Sequence, residues 1–165
     1  MRMKRMTQTL LYKGDHINRA NVVWNIAGSF VYAFASMVLS FLVIRLAGEE
    51  QGGIFSFGFS TLGQQLFLVA YFGIRPFHIT DGAGEYTFGD YREHRNITCL
   101  IALAAGAVFM MIRHGAYLRG VGDYNGEKCT ILLLLVVYKV IDGYADVYES
   151  EFQRQGSLYL TGKSN

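Results

Sequence analysis

Residues 20–44 read ANVVWNIAGSFVYAFASMVLSFLVI, a run of 25 residues without a charged side chain. An α-helix rises about 1.5 Å per residue, so about 20 apolar residues cross the roughly 30 Å hydrocarbon core of a bilayer. The apolar stretch of a secretory signal peptide is shorter, at about 7–15 residues. The run therefore predicts a membrane-spanning helix that is retained as an anchor.

Three further apolar runs follow along the chain. Residues 51–74 contain 24 positions without a charge, and residues 96–112 contain 17. The last run, 129–138, offers ten residues before Lys139, so a span that begins there must continue through charged positions. The sequence predicts an all-α polytopic membrane protein, a partial helical bundle of about four transmembrane helices. Their expected bounds are about 20–45, 53–75, 96–113 and 129–148.

These spans divide the chain into three parts. Residues 1–19 are expected to form a cytoplasmic N-terminal segment and 20–149 the four-helix transmembrane region. Residues 150–165 would be a cytoplasmic tail or the start of a missing fifth helix. Cytoplasmic loops of membrane proteins carry an excess of Lys and Arg. Ten such residues fall on the side of the two chain ends and four on the other, which predicts both ends in the cytoplasm. The ten are Arg2, Lys4, Arg5, Lys13, Arg19, Arg75, Arg92, Arg95, Arg154 and Lys163, and the four are Arg45, Arg113, Arg119 and Lys128.

Composition and motifs exclude several classes of function. The net charge of +2 is too small to indicate a nucleic-acid partner. The chain contains no nucleophile elbow, phosphate-binding loop or zinc-protease motif, so neither an enzyme nor a cofactor or metal site is expected. Cys99 and Cys129 fall near opposite membrane faces and should not bond to each other. The four histidines are expected to be surface residues; they are His16, His78, His94 and His114.

Polar side chains recur along one face of the first predicted span. Asn21 and Asn25 begin a stripe that continues through serines at intervals of three or four, and Gln64 belongs to a weaker stripe on the second span. Such a stripe has two explanations. Small and polar residues allow helices to pack closely in a membrane, or the face lines a wet cavity that admits a polar substrate.

The fourth predicted span carries four charges, spaced three, four and three residues apart: Lys139, Asp142, Asp146 and Glu149. Charged groups in a bilayer are costly and usually face protein or water. If the span runs from 129 to 148, Lys139 and Asp142 lie near the midplane, where they are candidates for a cation- or proton-linked site or for gripping a polar headgroup. The alternative is a solvated amphipathic extension beyond Tyr138.

Several segments resemble a known family of transporters. They are NVVWNIAGS at 21–29, YFGIR at 71–75, TDGAGEYTFGDY at 80–91 with Arg95 and Thr98, YKVID at 138–142 and DVYESEFQRQG at 146–156. They are similar to bacterial polysaccharide-biosynthesis flippases, the O-antigen and capsule exporters of the multidrug/oligosaccharidyl-lipid/polysaccharide superfamily. The resemblance extends from about Asn18 to Lys163.

The resemblance implies a multi-pass protein of the bacterial cytoplasmic membrane that moves a polyprenyl-diphosphate-linked glycan to the outer leaflet for lipopolysaccharide or capsule synthesis. Arg75 would face the phosphate, although a snorkelling arginine explains it equally well. Membrane lipid, the remaining transporter half and glycan-assembly proteins would be partners. Family members have a dozen or more helices in two bundles, so four helices imply an N-terminal portion only.

Two other functions fit the same residues. The chain could be a small four-helix exporter that dimerises and uses Asp142 or Asp146 as a proton-coupled carboxylate. It could also be a non-transporting tetraspan scaffold for glycan assembly, in which case substitutions at Asn21, Asn25 and Asp142 would be tolerated. The pathway candidates shared by the transport hypotheses are Asn21, Asn25, Gln64, Arg75, Lys139, Asp142 and Asp146.

Overall fold

A computed structural model describes residues 16–164, and every element in this range is helical. The fold class predicted from the sequence is confirmed in this coarse form: the described chain is all-α. In chain order the elements are α1 (His16–Ser56), a π-helical segment (Phe57–Leu62), α2 (Gly63–Tyr71), α3 (Ile74–Thr80), α4 (Phe88–Leu118), α5 (Gly126–Arg154) and α6 (Tyr159–Ser164).

α1 is sharply kinked at Gly48. This residue has φ 85° and ψ 176°, a conformation that L side chains rarely adopt and that glycine takes at no steric cost. The kink separates an outer arm, residues 16–47, from an inner arm, residues 49–71, which continues through the π-helical segment and α2. The chain therefore turns between the first and second predicted spans without an extended loop.

The inner arm ends at a second break. Phe72 and Gly73 are both left-handed, with φ of 39° and 68°, and α3 begins directly after them. Because the helix stops here, the last carbonyls of α2 have no partner within the helix. One of them, the carbonyl of Ala70, becomes part of the polar network that α4 and α5 build.

The starts of α4 and α5 are fixed by side-chain caps. Thr87 Oγ1 accepts a hydrogen bond from the Asp90 backbone N–H at 3.3 Å, and the Asp90 carboxylate accepts one from the Thr87 N–H at 2.8 Å, which forms a capping box. Asn125 Oδ1 accepts from the Lys128 N–H at 2.8 Å. These caps explain why both helices begin several residues before the predicted spans 96–113 and 129–148.

The inner arm, α3, α4 and α5 pack into a bundle around three apolar clusters. Ile54, Met110, Tyr124 and Leu132 form the first cluster, at the end of the bundle where α5 begins. Ala70, Cys99 and Ala102 form the middle cluster, and Ile74, Tyr91 and Val147 form the third, at the opposite end. Both cysteines are free, and they pack in different clusters, Cys129 beside the first.

The outer arm stands beside this bundle and packs chiefly against α6. A Cβ at Gly28 would overlap the Gly162 backbone, and a Cβ at Gly162 would overlap the Trp24 carbonyl. Only two glycines allow the backbones to approach so closely. Most large apolar side chains of the outer arm remain exposed, among them Phe30, Phe34 and Phe41. The outer arm therefore presents a broad apolar surface outside the bundle.

Two stretches of the described chain are long and apolar enough to cross a membrane, judged by length and composition. They are His16–Tyr71, of 56 residues, and Phe88–Leu118, of 31 residues. The first contains the predicted span 20–45 and, beyond Gly48, residues 53–71 of the predicted span 53–75, and the second contains 96–113. Residues 1–15 of the predicted cytoplasmic segment 1–19 lie outside the described residues, and so does residue 165 of the predicted tail.

Candidate functional site

The four charged residues of α5 that the sequence singled out, Lys139, Asp142, Asp146 and Glu149, lie on two adjacent faces of the helix. Lys139 and Asp146 are buried against the bundle, with about 6% of each residue exposed. Asp142 and Glu149 are half-buried and face the outer arm, where they line a cavity. The prediction that all four share one face is therefore corrected: Lys139 and Asp146 lie inside the bundle, and Asp142 and Glu149 are accessible at its edge.

Asp146 is the centre of a buried ion-pair network. Its Oδ1 accepts a hydrogen bond from Arg75 Nη1 and its Oδ2 accepts one from Arg95 Nη2, each at 2.6 Å. Two guanidinium groups therefore compensate one carboxylate, and they tie α3 and α4 to α5. Charges removed from water are stable only when they are paired and hydrogen-bonded in this way.

Arg95 is a residue whose role the sequence reasoning missed. It was counted as a cytoplasmic loop charge, whereas the structure buries its side chain completely within α4. Its Nη1 donates to the Ala70 carbonyl at 2.8 Å, where Thr98 Oγ1 also donates at 2.7 Å. Arg95 thus covers the carbonyl end of α2. The signal was helical spacing: the buried residues of α4 are Tyr91, Arg95, Cys99, Ala102, Gly106 and Met110.

Arg75, the predicted phosphate-facing residue, is held by acceptors on α5. Besides Asp146, it donates to Glu149 Oε2 at 3.3 Å and to Gln153 Oε1 at 3.2 Å. Its side chain is 24% exposed, so it lies at the edge of the network and not in its interior. In this conformation its guanidinium joins α3 to α5 through hydrogen bonds.

Lys139 lies about 20 Å along α5 from the helix start, near the middle of the bundle. Its ammonium is 3.3 Å from Asp142 Oδ2 and packs against aromatic rings of the inner arm, 5.0 Å from the Phe59 centroid and 5.9 Å from that of Phe67. Cation–π contact and an ion pair together replace the water that the ammonium loses. Lys139 therefore fixes the Asp142 carboxylate at the cavity edge.

A cavity of about 410 Å³ separates the outer arm from α5. The Tyr32 hydroxyl of the outer arm is 3.4 Å from the Tyr138 hydroxyl of α5 and bridges the two elements at this cavity. The residues that line it are mostly aromatic or acidic: Tyr32, Tyr138, Ile141, Asp142, Ala145, Tyr148, Glu149, Phe152 and Ser164. Hydroxyls and carboxylates of this kind bind hydroxyl groups and cations, and the rings supply flat apolar surface.

The remaining pathway candidates lie outside this cavity. Asn21 joins the outer arm to the chain before α6: its Nδ2 donates to the Gly156 carbonyl at 2.8 Å, and its Oδ1 accepts from the Tyr159 N–H at 2.9 Å. Asn25 is half-buried on the same arm, where Gly162 approaches its backbone nitrogen. Gln64 is exposed on α2. For the two asparagines, packing is the role that these contacts support.

His78 corrects one expectation from the sequence. It was expected at the surface, but its side chain is fully buried under Tyr91, with the two ring centroids 4.2 Å apart. Its Nε2 is 2.8 Å from Glu151 Oε2. Burial alone would raise the pKa of Glu151, but hydrogen bonds from Arg154, Gln155 and His78 hold that pKa below its ordinary value. The pair joins α3 to the end of α5.

Comparisons of the chain with protein-family models, with curated proteins and with solved structures give no match.

Proposed function

We propose that the chain is a helical unit of a transporter that moves a lipid-linked oligosaccharide across a bacterial cytoplasmic membrane for surface polysaccharide biosynthesis. The unit contains four spans: the outer arm, the inner arm, α4 and α5. The resemblance of the chain to polysaccharide flippases names the cargo, a polyprenyl-diphosphate-linked glycan. The cavity between the outer arm and α5 is the structural observation that carries the proposal.

The exposed surface of the bundle supports placement in a bilayer. On α4, seven large apolar side chains are exposed: Ile97, Leu100, Ile101, Val108, Met111, Ile112 and Leu118. From Ile97 to Ile112, the last apolar residue before Arg113, the helix rises about 22 Å, which is most of the roughly 30 Å of the hydrocarbon core. The ion pairs that Asp146 of α5 makes with Arg75 and Arg95 face inward from this apolar belt, as charges in membrane helices do.

The chemistry of the cavity suits a glycan. Sugar hydroxyls need hydrogen-bond donors and acceptors, which Tyr138, Asp142 and Glu149 supply, and the rings of Tyr32 and Tyr148 offer flat faces for the apolar side of a sugar. The cavity opens between the bundle and an outer arm that is itself exposed. Further helices, from a longer chain, a second copy or a partner, would complete the wall of the pathway.

Site-specific photo-crosslinking tests this function. A photo-reactive phenylalanine derivative replaces Tyr138 in the cavity, and the matched control carries it at Ile101 on the outer face of α4. Both variants are expressed in a bacterium that makes lipid-linked surface glycans. We expect the Tyr138 position to capture an oligosaccharide-linked lipid, detected by mass spectrometry of the isolated adduct. Equal capture at both positions would count against a glycan in the cavity.

A small cation exporter is the second candidate. The observation that favours it is the pair of carboxylates, Asp142 and Glu149, in a cavity rich in tyrosine. Asp146 is enclosed by two arginines, so Asp142 is the better proton-coupled carboxylate of the two predicted. This function requires that purified protein binds tetraphenylphosphonium and that Asp142→Asn lowers the affinity at least tenfold. Binding that is unaffected by Asp142→Asn, or absent, rejects it.

A further inference from the structure

A second cavity lies at the end of the bundle where α5 begins, far along α4 from the Arg95 network. It has a volume of about 510 Å³ and is bounded by the start of the inner arm, the end of α4 and the loop before α5. Gln51 Nε2 donates to Glu127 Oε1 at 2.7 Å and ties the inner arm to α5 at this end of the bundle. None of the pathway candidates lines this cavity.

Opposite charges line the cavity without neutralising each other completely. Lys128 is paired with Asp123 at 2.5 Å, so these two charges compensate locally. The hydrogen bond from Lys128 lowers the pKa of Asp123, and the charge of Arg113 contributes to this lowering. Arg113 and Glu50 also line the cavity; both are exposed, and neither has an ion-pair partner within 4 Å among residues 16–164. One cationic and one anionic group therefore remain for a ligand that carries both charges.

The aromatic ring of Tyr124 positions the cations. The ring is buried, the Arg113 guanidinium carbon lies 4.4 Å from its centroid, and the Lys128 ammonium lies 4.5 Å from it. A guanidinium that lies over an aromatic ring can still use its N–H groups to bind two oxygens of a phosphate. The cavity thus has a prepared phosphate-binding group, and Glu50 is an acceptor for an ammonium.

The position of the cavity indicates that this ligand is a lipid. Arg113 is the first charged residue after the uncharged run 96–112, so it marks the end of the apolar surface of α4. Met111 and Ile112 precede it and are 68% and 63% exposed. A headgroup in the cavity would leave its acyl chains against these side chains, at the depth where headgroups meet the hydrocarbon core.

We propose that this cavity binds a phospholipid with a phosphoethanolamine headgroup, its phosphate on Arg113 and its ammonium on Glu50. A primary ammonium donates hydrogen bonds to a carboxylate, whereas the quaternary ammonium of a choline headgroup has no N–H to donate. A glycerol headgroup carries no positive charge and would leave Glu50 unpaired. The inference requires that the chain lies in a membrane, but it does not depend on transport.

Native mass spectrometry of the purified protein tests the inference. Phosphatidylethanolamine, phosphatidylcholine and phosphatidylglycerol with identical acyl chains are added at equal concentration, with free glycerophosphoethanolamine as the soluble arm. We expect phosphatidylethanolamine to bind about threefold to fivefold more tightly than the other two lipids, because Glu50 is exposed to water and an exposed ion pair contributes only a few-fold in affinity. The soluble headgroup should not bind at the concentration at which the lipid does. Equal binding of the three lipids would overturn the proposal.

Matched variants assign the site. Arg113→Gln and Glu50→Gln should each lower phosphatidylethanolamine binding about threefold to fivefold, whereas Arg119→Gln and Glu49→Gln, at neighbouring positions that do not line the cavity, should not. Binding is scored only on the folded monomer. Arg113→Lys keeps the charge and should give an intermediate loss. If the cavity variants bind like their controls, the site is not in this cavity.

Discussion

Arg95 has the strongest structural constraint of any charged side chain described in residues 16–164. It is fully buried, it covers the carbonyl end of α2 through Ala70, and it neutralises Asp146. Removing one partner of a buried ion pair costs about 3–5 kcal/mol, because the other charge is left without full compensation. Arg75 binds the same carboxylate from a partly exposed position, so its loss should cost less.

We expect Arg95→Met to lower the free energy of unfolding in detergent by about 3–5 kcal/mol, more than Arg75→Met does. Arg92→Met, on the exposed face of the same helix, should change it by less than about 0.5 kcal/mol. Reversible unfolding in mixed micelles gives the three values. An Arg95 variant as stable as the Arg92 control would contradict the network.

Glu151 gives a prediction for acid stability. Its pKa in the folded protein lies below the ordinary value of 4.5, so ionised Glu151 stabilises the fold above about pH 4.5. This contribution is lost as the pH falls through the lowered pKa. We expect Glu151→Gln to lose less stability than the wild type between pH 6 and pH 3.5, measured by denaturant unfolding. Glu93→Gln, exposed on α4, should follow the wild type, and parallel loss in all three proteins would refute the prediction.

At the scale of single residues, the sequence predicted which charged side chains belong to one helix but not which of them form ion pairs. The intervals between Lys139, Asp142, Asp146 and Glu149 predicted one shared face of a helix, whereas the structure divides them between two adjacent faces, because a step of three residues turns the helix by about 300°. Which charges meet depends on the breaks at Gly48 and Phe72, which decide where α3 and α4 lie against α5. Arg95 and His78 were therefore assigned to the surface, although both are buried.

At the scale of elements, the contact between the outer arm and α6 depends on two glycines. A Cβ at Gly28 would overlap the backbone of Gly162, which cannot move aside without moving α6. Gly53 is a matched control, since it lies in the same helix and a Cβ there meets nothing within 4 Å. Alanine at an open helical position is favoured over glycine by about 0.5–1 kcal/mol.

We expect Gly28→Ala to separate the outer arm from α6, while Gly53→Ala leaves the arrangement unchanged. Spin labels at Phe34 and Ile101, both exposed, report the distance between the outer arm and α4 in a background without native cysteines. The Gly28 variant should give a longer or broader distance distribution. Identical distributions in the two variants would show that the close contact does not hold the arm.

At the scale of the whole molecule, the described chain divides into a packed bundle and an outer arm with little support from it. The four apolar runs in the sequence fall in the outer arm, the inner arm, α4 and α5, because each run is a local signal of length and composition. They did not predict how the outer arm is joined to the rest of the chain. Tyr32 pairs with a tyrosine of α5, and Asn21 binds the segment that leads into α6. That arrangement depends on close backbone contact, which hydrophobicity does not encode.

The number of spans determines where the charged loops lie, and this can be measured directly. If the outer arm, inner arm, α4 and α5 each cross the membrane and both chain ends are cytoplasmic, Glu49 and Asp123 lie on the outer side, and Glu85 lies in the cytoplasm. We expect single cysteines at Glu49 and Asp123, in a cysteine-free background, to react in intact cells with a maleimide that cannot cross membranes. A cysteine at Glu85 should react only after the membrane is permeabilised.

Each cysteine variant is also labelled in detergent, so that a protected position is distinguished from an unreactive one. Two spans through the outer arm and α4 alone would place Glu49 and Glu85 on the same side, because the inner arm would not cross. A chain that lies on the membrane surface would leave all three positions equally reactive. The pattern of Glu49 and Asp123 reactive with Glu85 protected requires the inner arm and α4 both to cross, since the chain must change sides between 49 and 85 and again between 85 and 123.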